Sequence, residues 1–483
     1  MLTTLAAPAF AGTWYIEDGN ITISAGTEAG TNKVEQAGKD TVDNDKDTII
    51  TNQNKDTASS NTVTIDAGSD KVEVTLQDVN IKADSGSALT SKGDVTLTLK
   101  GDNHLTGGIS GTGNYGRNGI ASTGSLTISG GENDSLTAQG GSGRSGIFSS
   151  GSLTISGGTV NATGGDGSNV NGSGISSNGS VTISGGTVTA NGGSGNISGG
   201  DGIYSDSGDV TISGGTVTAT GGGGTGSNGL GGRGICSDSG GVTISGGTVK
   251  ATGGNGDYSG GDGISSSDRV AISGGTVNAN GGNGDYNGGS GIHSNDIDLS
   301  GSLELTAKAG SPNGKALSQN GRELDLDTIK DKLGPGAKVT ATDANGETKQ
   351  VSIPRPVEPE GPVIPGDSSS SSDGGSAAPS APAFSLPGLT VTDKDGQRIS
   401  YTSTQSGNTL TVCVGRLTAS FRISLATLRQ LRAAGIETIT FQTILCSTTL
   451  SLDELLAMGG EDAEVVLTHH IRSSTLTVGG KAV

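Results

Sequence analysis

The sequence is poor in the residues that build a large globular core. Among 483 residues, aromatic side chains make up 2% and the whole hydrophobic set 30%. Proline is scarce too, with 11 copies, and glycine does not recur at every third position, which excludes a collagen triple helix. No apolar run approaches the ~18 residues of a membrane-spanning helix. Any core must therefore be narrow and filled by small aliphatic side chains.

Basic residues and cysteines are scarce as well. Lys and Arg total 29 against 48 Asp and Glu, which gives a formal net charge of −19. Because nucleic acids and anionic lipids are bound through cationic contacts, we expect neither as a partner. The three cysteines are odd in number and lack CxxC spacing, so the sequence indicates no disulfide framework and no zinc site. They are Cys236, Cys413 and Cys446.

Glycine is in excess, with 89 copies, and much of it lies in a repeat. The pentapeptide TISGG recurs so that its central isoleucines are 27 to 32 residues apart. Its copies begin at Thr127, Thr154, Thr182, Thr211 and Thr243, and the variant AISGG begins at Ala271.

Each repeat contains three short runs in which apolar residues alternate with polar ones, as in 181–183, 188–190 and 203–205. Alternation with a period of two indicates strands. Three strands per coil of ~28 residues predict a mainly β fold, a right-handed, three-sided parallel β-helix with inward ladders of Val, Ile and Ala. Glycine would supply positive φ and close backbone approach at its corners. The extra residues of longer repeats fall at one corner, which favours that corner as the binding side.

We predict six segments, because the composition changes sharply along the chain. Ala9-Phe10-Ala11 has the small-x-small pattern of a signal-peptide cleavage site, which favours a secreted or cell-surface protein. The segments are a truncated signal peptide (1–11), a polar N-terminal region or cap (12–61), the β-helix (62–310), its C-terminal cap (311–353), a Pro/Ser/Gly linker (354–383) and an α+β accessory domain (384–483).

A Gly-Ile dipeptide is followed by an ISGG-type sequence in each of three longer segments, Gly199–Gly221, Gly260–Gly281 and Gly291–Ala307. With this pattern the sequence resembles a family of secreted bacterial carbohydrate-binding β-helix proteins, whose members bind cellulose and acidic pectin-type polysaccharide and carry calcium. Asp70–Leu89 is similar to that family's opening coils. The resemblance implies a polysaccharide partner and a calcium cofactor. The last hundred residues resemble a module found at the end of some such proteins, for which no activity is implied.

Two loops one coil apart are the best candidates for a sugar site. Their tyrosines should stack ~4.8 Å apart at the variable corner, beside carboxylates and amides that can hydrogen-bond to hydroxyls. A duplicated loop without a binding role is the alternative. The residues are Asn255, Asp257 and Tyr258 in one loop, and Asn283, Asp285 and Tyr286 in the other.

Each repeat also contains a Gly-Ile dipeptide, whose isoleucine we call the anchor isoleucine. A second aromatic pair lies at the position directly after this isoleucine. This position varies freely between coils and is therefore expected to face outward, and Phe148 and Tyr204 lie on it two coils apart. Sugar stacking is one interpretation of this pair, and ordinary surface exposure is the other. The position is occupied by Ala121, Phe148, Ser176, Tyr204, Cys236, Ser265 and His293.

Calcium is a candidate ligand of the loop aspartates, because glycine turns alternate with oxygen donors there. The residues considered are Asp201, Asp206, Asp262 and Asp268, or alternatively Asp257 and Asp285. Members of the family often carry a pair of acidic residues after the sequence Gly-Ile-x-Ser. This chain often has Ser or Gly at those positions, which weakens the inference of calcium binding.

Catalysis is not predicted. A pectinase-like β-helix needs clustered carboxylates on one strand face. In this chain the outward threonines of the TISGG strand and of the strand after it carry no charge. We therefore predict a non-catalytic, secreted protein that binds polysaccharide through the exposed face and variable loops of its β-helix. The alternatives are a structural cell-surface spacer without a glycan site and, less favoured, a pectinase-like enzyme.

Overall fold

The computed structural model describes residues 12–109, 116–168 and 171–354, and much of 389–482. The gaps in that last part are 394–397, 400, 407, 415, 417, 434, 444–446, 459–462, 470–473 and 480. The chain divides into two units, Met1–Gly361 and Pro362–Val483, which we describe separately. The predicted signal peptide and all of the predicted linker except Pro354 lie outside the described residues.

The first unit is a parallel β-solenoid of about 12 turns with coils of ~28 residues, and the protein is mainly β, with 52% strand and 6% helix. The predicted fold class is confirmed. Within each regular coil three strands follow one another, and each pairs in parallel with its counterparts in the coils before and after it, as in Ile183 beside Ile212 and Ile212 beside Ile244.

We call the first strand of each coil the Ile-Ser face, after its usual sequence. Its strands are Val63–Gln77, Leu89–Lys100, Ile120–Ser122, Ile147–Ser149, Ile175–Ser177, Ile203–Ser205, Ile235–Ser237, Ile264–Ile272, Ile292–Leu299 and Leu317–Gln319.

The second strand forms the first threonine face. Its separate strands are Leu126–Gly130, Leu153–Ile155, Val181–Ile183, Val210–Ile212 and Val242–Ile244. In other coils Leu89–Lys100, Ile264–Ile272 and Ile292–Leu299 run on from the Ile-Ser face to this one, so the two faces belong to one 21-stranded sheet.

The third strand forms the second threonine face, an 11-stranded sheet. Its strands are Asn80–Lys82, Asp102–Thr106, Ser135–Gln139, Thr159–Thr163, Thr187–Asn191, Thr216–Thr220, Thr248–Thr252, Thr276–Asn280, Glu304–Lys308, Lys338–Thr342 and Thr348–Ser352.

The interior is a set of stacked aliphatic ladders. Ile183, Ile212 and Ile244 are fully buried, as are Val188 and Ala190 on the second threonine face. Serine also lies inside, on the Ile-Ser face, because its hydroxyl finds a backbone partner in an adjoining coil. Ser205 Oγ, for example, donates to the carbonyl oxygen of Gly179 at 2.9 Å.

Close contact between coils explains much of the glycine content. A Cβ on Gly222 would lie 2.0 Å from the carbonyl oxygen of Gly193. Gly215, the second glycine of an ISGG step, has φ +79°, a conformation that L side chains rarely adopt. Close approach at the variable corner and positive φ at the corner between the threonine faces are both as predicted.

The N-terminal region is built into the solenoid. Ile21–Ala25 pairs in parallel with Val63–Gln77, and the Trp14 indole donates to buried Asp45 at 3.0 Å. The sequence left the order of this region open, because its strands are polar and irregularly spaced. Its elements are the strands Thr13–Tyr15, Ile21–Ala25, Asn32–Gln36, Val42–Asp45 and Ile49–Thr51, and the 3₁₀ helix Ile16–Asp18.

The last coil ends in short elements that cover its open edge. Leu317–Gln319 forms a hairpin with Arg322–Glu323, and Lys338–Thr342 forms one with Thr348–Ser352. Between them lies the 3₁₀ helix Leu326–Lys332, which begins at the capping carboxylate of Asp325.

The second unit contains two sheets and two short helices. The α-helices are Leu425–Ala433 and Leu452–Ala457, and buried Phe421 and Phe441 lie in its core with ring centroids 5.3 Å apart. One sheet contains Leu389–Thr392, Ala419–Ser424, Glu464–His469, Ser474–Val478 and Lys481–Ala482, and the other Thr402–Ser406, Thr409–Cys413, Thr438–Gln442 and Ser447–Ser451. Among the described residues of both units, no helix is long and apolar enough to cross a membrane.

Candidate functional site

The variable loops are ordered into a further ladder. We call them the corner loops: residues 192–202, 221–234, 253–263 and 281–291, between the second threonine face and the Ile-Ser face. Gly195, Gly224, Gly256 and Gly284 form successive parallel bridges between these loops. Residues in different loops are therefore held at defined positions along the solenoid axis.

The ladder brings the predicted tyrosine pair together. The ring centroids of Tyr258 and Tyr286 are 5.1 Å apart, and the ring planes are tilted by 35°. Tyr258 is 40% exposed and Tyr286 63% exposed. Ile197 and Leu230 are also exposed on the corner loops, so we call these four residues the corner strip. Each of the four successive corner loops thus exposes one large apolar side chain, which is unusual on an otherwise polar surface.

The two predicted asparagines have a structural role. The Oδ1 atom of Asn255 accepts from the backbone N–H of Asn283 at 2.8 Å, and Oδ1 of Asn283 accepts from that of Ser311 at 2.9 Å. Each asparagine thus fastens its loop to the next coil. Asp257 and Asp285 are exposed beside the tyrosines.

A groove of about 490 Å³ lies between the corner loops and the Ile-Ser face. It crosses four coils, which at ~4.8 Å per coil is roughly 14 Å along the axis. Its floor is open because the residues there have no side chains. These are Gly199, Gly200, Gly231, Gly232, Gly260 and Gly261.

Charged residues converge on one wall of the groove. The Arg233 guanidinium reaches Asp201 Oδ2 at 3.2 Å and Asp238 Oδ1 at 2.9 Å, and the backbone N–H of Arg233 donates to Asp201 Oδ1 at 2.6 Å. Burial acts to lower the pKa of Arg233, but the Asp201 carboxylate outweighs it and the net pKa is raised. The guanidinium therefore stays charged.

Tyr204 lies at the centre of the same wall. Its hydroxyl is 3.0 Å from Asp206 Oδ1 and 2.9 Å from Asp238 Oδ2, and the Arg233 guanidinium carbon lies 6.0 Å from the ring centroid. Burial, followed by the hydrogen bonds to Asp238 and Asp206, raises the pKa of Tyr204. Burial also acts to raise the pKa of Asp238, but Arg233 and the hydrogen bonds from Tyr204 and Cys236 outweigh it and lower the net pKa.

The residues that follow the Gly-Ile dipeptide of each coil stack in a column that contains Tyr204. They have the predicted register, but they differ in their exposure to solvent. Phe148, Ser176 and Tyr204 are successive partners, and Phe148 and Tyr204 are partly exposed. Cys236 follows Tyr204 in the column and is fully buried, so a position that faces away from the core is not always exposed to solvent. Neighbouring side chains cover it, and Sγ lies 3.3 Å from Asp238 Oδ1. Burial raises the pKa of this thiol.

Ser265 and Ser176 of the same column are also buried, and His293 is exposed. These positions point away from the aliphatic ladders, so their burial comes from flanking side chains rather than from the core.

The four predicted calcium ligands do not form one ligand set. Asp201 is paired with Arg233, Asp206 meets Tyr204, and Asp262 Oδ1 accepts from the backbone N–H of Ser290 at 2.6 Å. Asp268 is exposed. In the part of the chain that the structure describes, no three acidic, His or Cys side chains are grouped as metal ligands. Calcium binding stays a prediction.

Arg233 and Asn171, which line the groove, were not predicted from the sequence. The clustered charge that an enzyme needs was expected on the threonine faces, whereas the charged cluster of this chain lies where the corner loops meet the Ile-Ser face. A signal was present, since Asp201 and Arg233 each precede an anchor isoleucine by two residues. Counting back from that anchor places them on adjacent coils, despite the different lengths of the two loops.

Five segments of the solenoid match the family model described as a beta helix repeat: residues 153–179, 181–201, 210–229, 242–268 and 270–296. The chain therefore contains beta-helix repeats. This fold occurs in pectinases and in non-enzymes alike, so the match does not decide the activity. Neither the curated proteins nor the solved structures gave a match.

Proposed function

We propose that this β-helix repeat protein binds extracellular polysaccharide without cleaving it, along the groove and the corner strip. The observation that carries the proposal is the pair of exposed, adjacent rings of Tyr258 and Tyr286 on the corner loops. An aromatic face provides a large apolar contact area with a polar group at its edge. Sugar rings offer the complementary surface, with C–H groups on one face and hydroxyls at the rim.

The groove supports the same proposal. It is concave, it follows the solenoid axis, and carboxylates and hydroxyls line it beside bare glycine backbone. A linear polymer lying along the axis would meet equivalent positions in each coil it crossed. Ser259 of the groove directly follows Tyr258, so the platform and the groove are contiguous along the chain.

The proposal is tested by replacing both tyrosines with alanine in the full chain. Binding to insoluble polysaccharides is measured by depletion from solution, over a panel of neutral, acidic and basic polymers. We expect Tyr258→Ala with Tyr286→Ala to weaken retention at least about tenfold. The two ring faces would lose on the order of 100 Å² of apolar contact, which at roughly 25 cal/mol per Å² is about 2.5 kcal/mol. Tyr15→Ala is the matched control, because Tyr15 is 37% exposed and lies in the N-terminal region.

If the wild-type chain binds none of the polymers, the structural spacer becomes the better account. Equal binding by the double variant and the control would place any glycan site elsewhere on the solenoid.

One observation favours a second candidate, a glycan-cleaving enzyme. Asp206 and Asp238 both contact the Tyr204 hydroxyl, so the two carboxylate oxygens are within about 6 Å of each other. A paired carboxylate of this kind can serve as acid and base. Release of reducing ends by the wild type, abolished by Asp206→Asn and by Asp238→Asn, would establish cleavage. The mutual engagement of Asp238, Arg233 and Tyr204 favours binding alone.

A further inference from the structure

The groove carries more negative than positive charge. Asp201, Asp238 and Asp262 line it and Arg233 is its one lining cation, while Asp206 meets the Tyr204 hydroxyl at the wall. Asp201 is neutralised by Arg233. The nearby corner loops add Asp257 and Asp285. A polymer of uronic acids would meet charge of its own sign throughout this surface.

The Tyr204 hydroxyl is also one proton short of its two carboxylate neighbours, although Arg233 donates to the other oxygen of Asp238 and the Ser207 hydroxyl to the other oxygen of Asp206. A phenol has one proton, yet the Tyr204 oxygen lies within hydrogen-bond distance of two carboxylate oxygens, on Asp206 and Asp238. One of these contacts therefore joins two acceptors, unless a further donor enters. An ammonium group would supply three donors and a compensating charge. The ring face already has a cation about 6 Å away, the Arg233 guanidinium, which is the distance of a cation–π contact.

An independent observation at the end of the groove also points to a polar ligand. Both polar atoms of the Asn171 amide are buried and have no hydrogen-bond partner within the described residues. Asn171 lines the groove and lies against the backbone of Gly195. Leaving a buried amide unpaired is unfavourable, so a polar group that reached it would bind favourably.

We infer that the groove selects polysaccharides with free amino groups, of the glucosamine type, with one ammonium placed between Asp206 and Asp238 beside the Tyr204 ring. The inference rests on the proposed function, since it names the class of glycan that the same groove takes. It departs from the cellulose and acidic pectin that the sequence resemblance implies.

The test compares two polymers with the same sugar backbone that differ in whether the amino groups are free and charged or acetylated and neutral. Full-length protein is titrated with chitosan beads at mildly acidic pH, where the amines are protonated, and with the same beads after complete N-acetylation. We expect retention on the free-amine polymer to be about tenfold stronger, as for the loss of one charged hydrogen bond, and to weaken with added salt. Polygalacturonate should bind most weakly.

Variants separate the site from general attraction by an acidic protein. Asp206→Asn and Asp238→Asn should each weaken chitosan retention about tenfold, whereas Asp47→Asn, an exposed aspartate in the N-terminal region, should leave it unchanged. Unaltered circular dichroism and thermal midpoints would show that the variants are folded.

Equal loss in all three variants would show non-specific attraction and overturn the inference. Stronger binding to the acetylated polymer or to polygalacturonate would overturn it as well, while leaving polysaccharide binding itself in place. Binding to none of the polymers would contradict the proposed function instead.

Discussion

The threonine faces and the Ile-Ser face are built from the same coils, yet they differ in chemical variety. On the first threonine face Thr182, Thr211 and Thr243 are successive partners, and none carries charge. On the Ile-Ser face the equivalent column runs from Tyr204 to Cys236, and charged residues flank it. The stacked backbone is the same in both. The difference shows that the repeat constrains the inward residues and the backbone spacing. The outward positions can vary in residue type, so polar, charged and aromatic side chains can be placed there.

The largest expected effect tests the inward half of that statement. Ile212→Asp would bury an unpaired charge between Ile183 and Ile244, which we expect to cost more than about 4 kcal/mol. Thr211→Asp, one residue away on the outward side, should stay within about 1 kcal/mol. Chemical denaturation of both variants checks the contrast. Equal destabilisation would show that the faces are not divided into inward and outward sides as described.

A smaller effect tests the backbone spacing at the variable corner. Gly222→Ala would bring a Cβ to 2.0 Å from the Gly193 carbonyl oxygen, and we expect a loss of about 1–3 kcal/mol. Gly223→Ala is the matched neighbour, because its Cβ would meet nothing closer than 3.5 Å. We expect that change to be near neutral. Thermal midpoints measure both, and an equally large loss at Gly223 would mean that backbone conformation rather than coil contact requires glycine here.

These two contrasts follow from parts of the fold that the sequence predicts well. The constant offsets between apolar anchors define the register of Ile183, Ile212 and Ile244, since strands in a parallel stack repeat once per coil. The same argument places Tyr286 beside Tyr258, because their loops have equal length.

The charged wall of the groove was harder to predict. The contact of Arg233 with Asp201 spans 32 residues, because the intervening loop is longer than in other coils. Periodicity alone does not say where the extra residues are accommodated. The burial of Cys236 depends on side chains of neighbouring columns, which a pattern along one chain does not encode.

The smallest expected effect concerns pH and Asp262. Burial raises the pKa of Asp262, even though its Oδ1 accepts from Ser290. A carboxyl with a raised folded-state pKa stabilises the fold at low pH, and that contribution is lost as pH rises through the folded-state value. Asp262→Asn keeps the acceptor without the charge, as Asn118 does for Ser145. The variant should gain on the order of 1 kcal/mol at neutral pH.

That gain should disappear in acid, where the wild-type carboxyl is protonated. Thermal midpoints of both proteins across the acid range measure it. A difference between them that does not change with pH would contradict the assignment of the effect to ionisation of Asp262.

The central claim is that the groove and the corner strip form the functional surface. Its most direct test is hydroxyl-radical footprinting of the full chain with and without bound polysaccharide. We predict that the ligand protects Tyr258, Tyr286 and Leu230 from oxidation and leaves Tyr15 unprotected, although Tyr15 and Tyr258 are almost equally exposed in the free protein, at 37% and 40%. Protection confined to the threonine faces, or to the second unit, would contradict the claim.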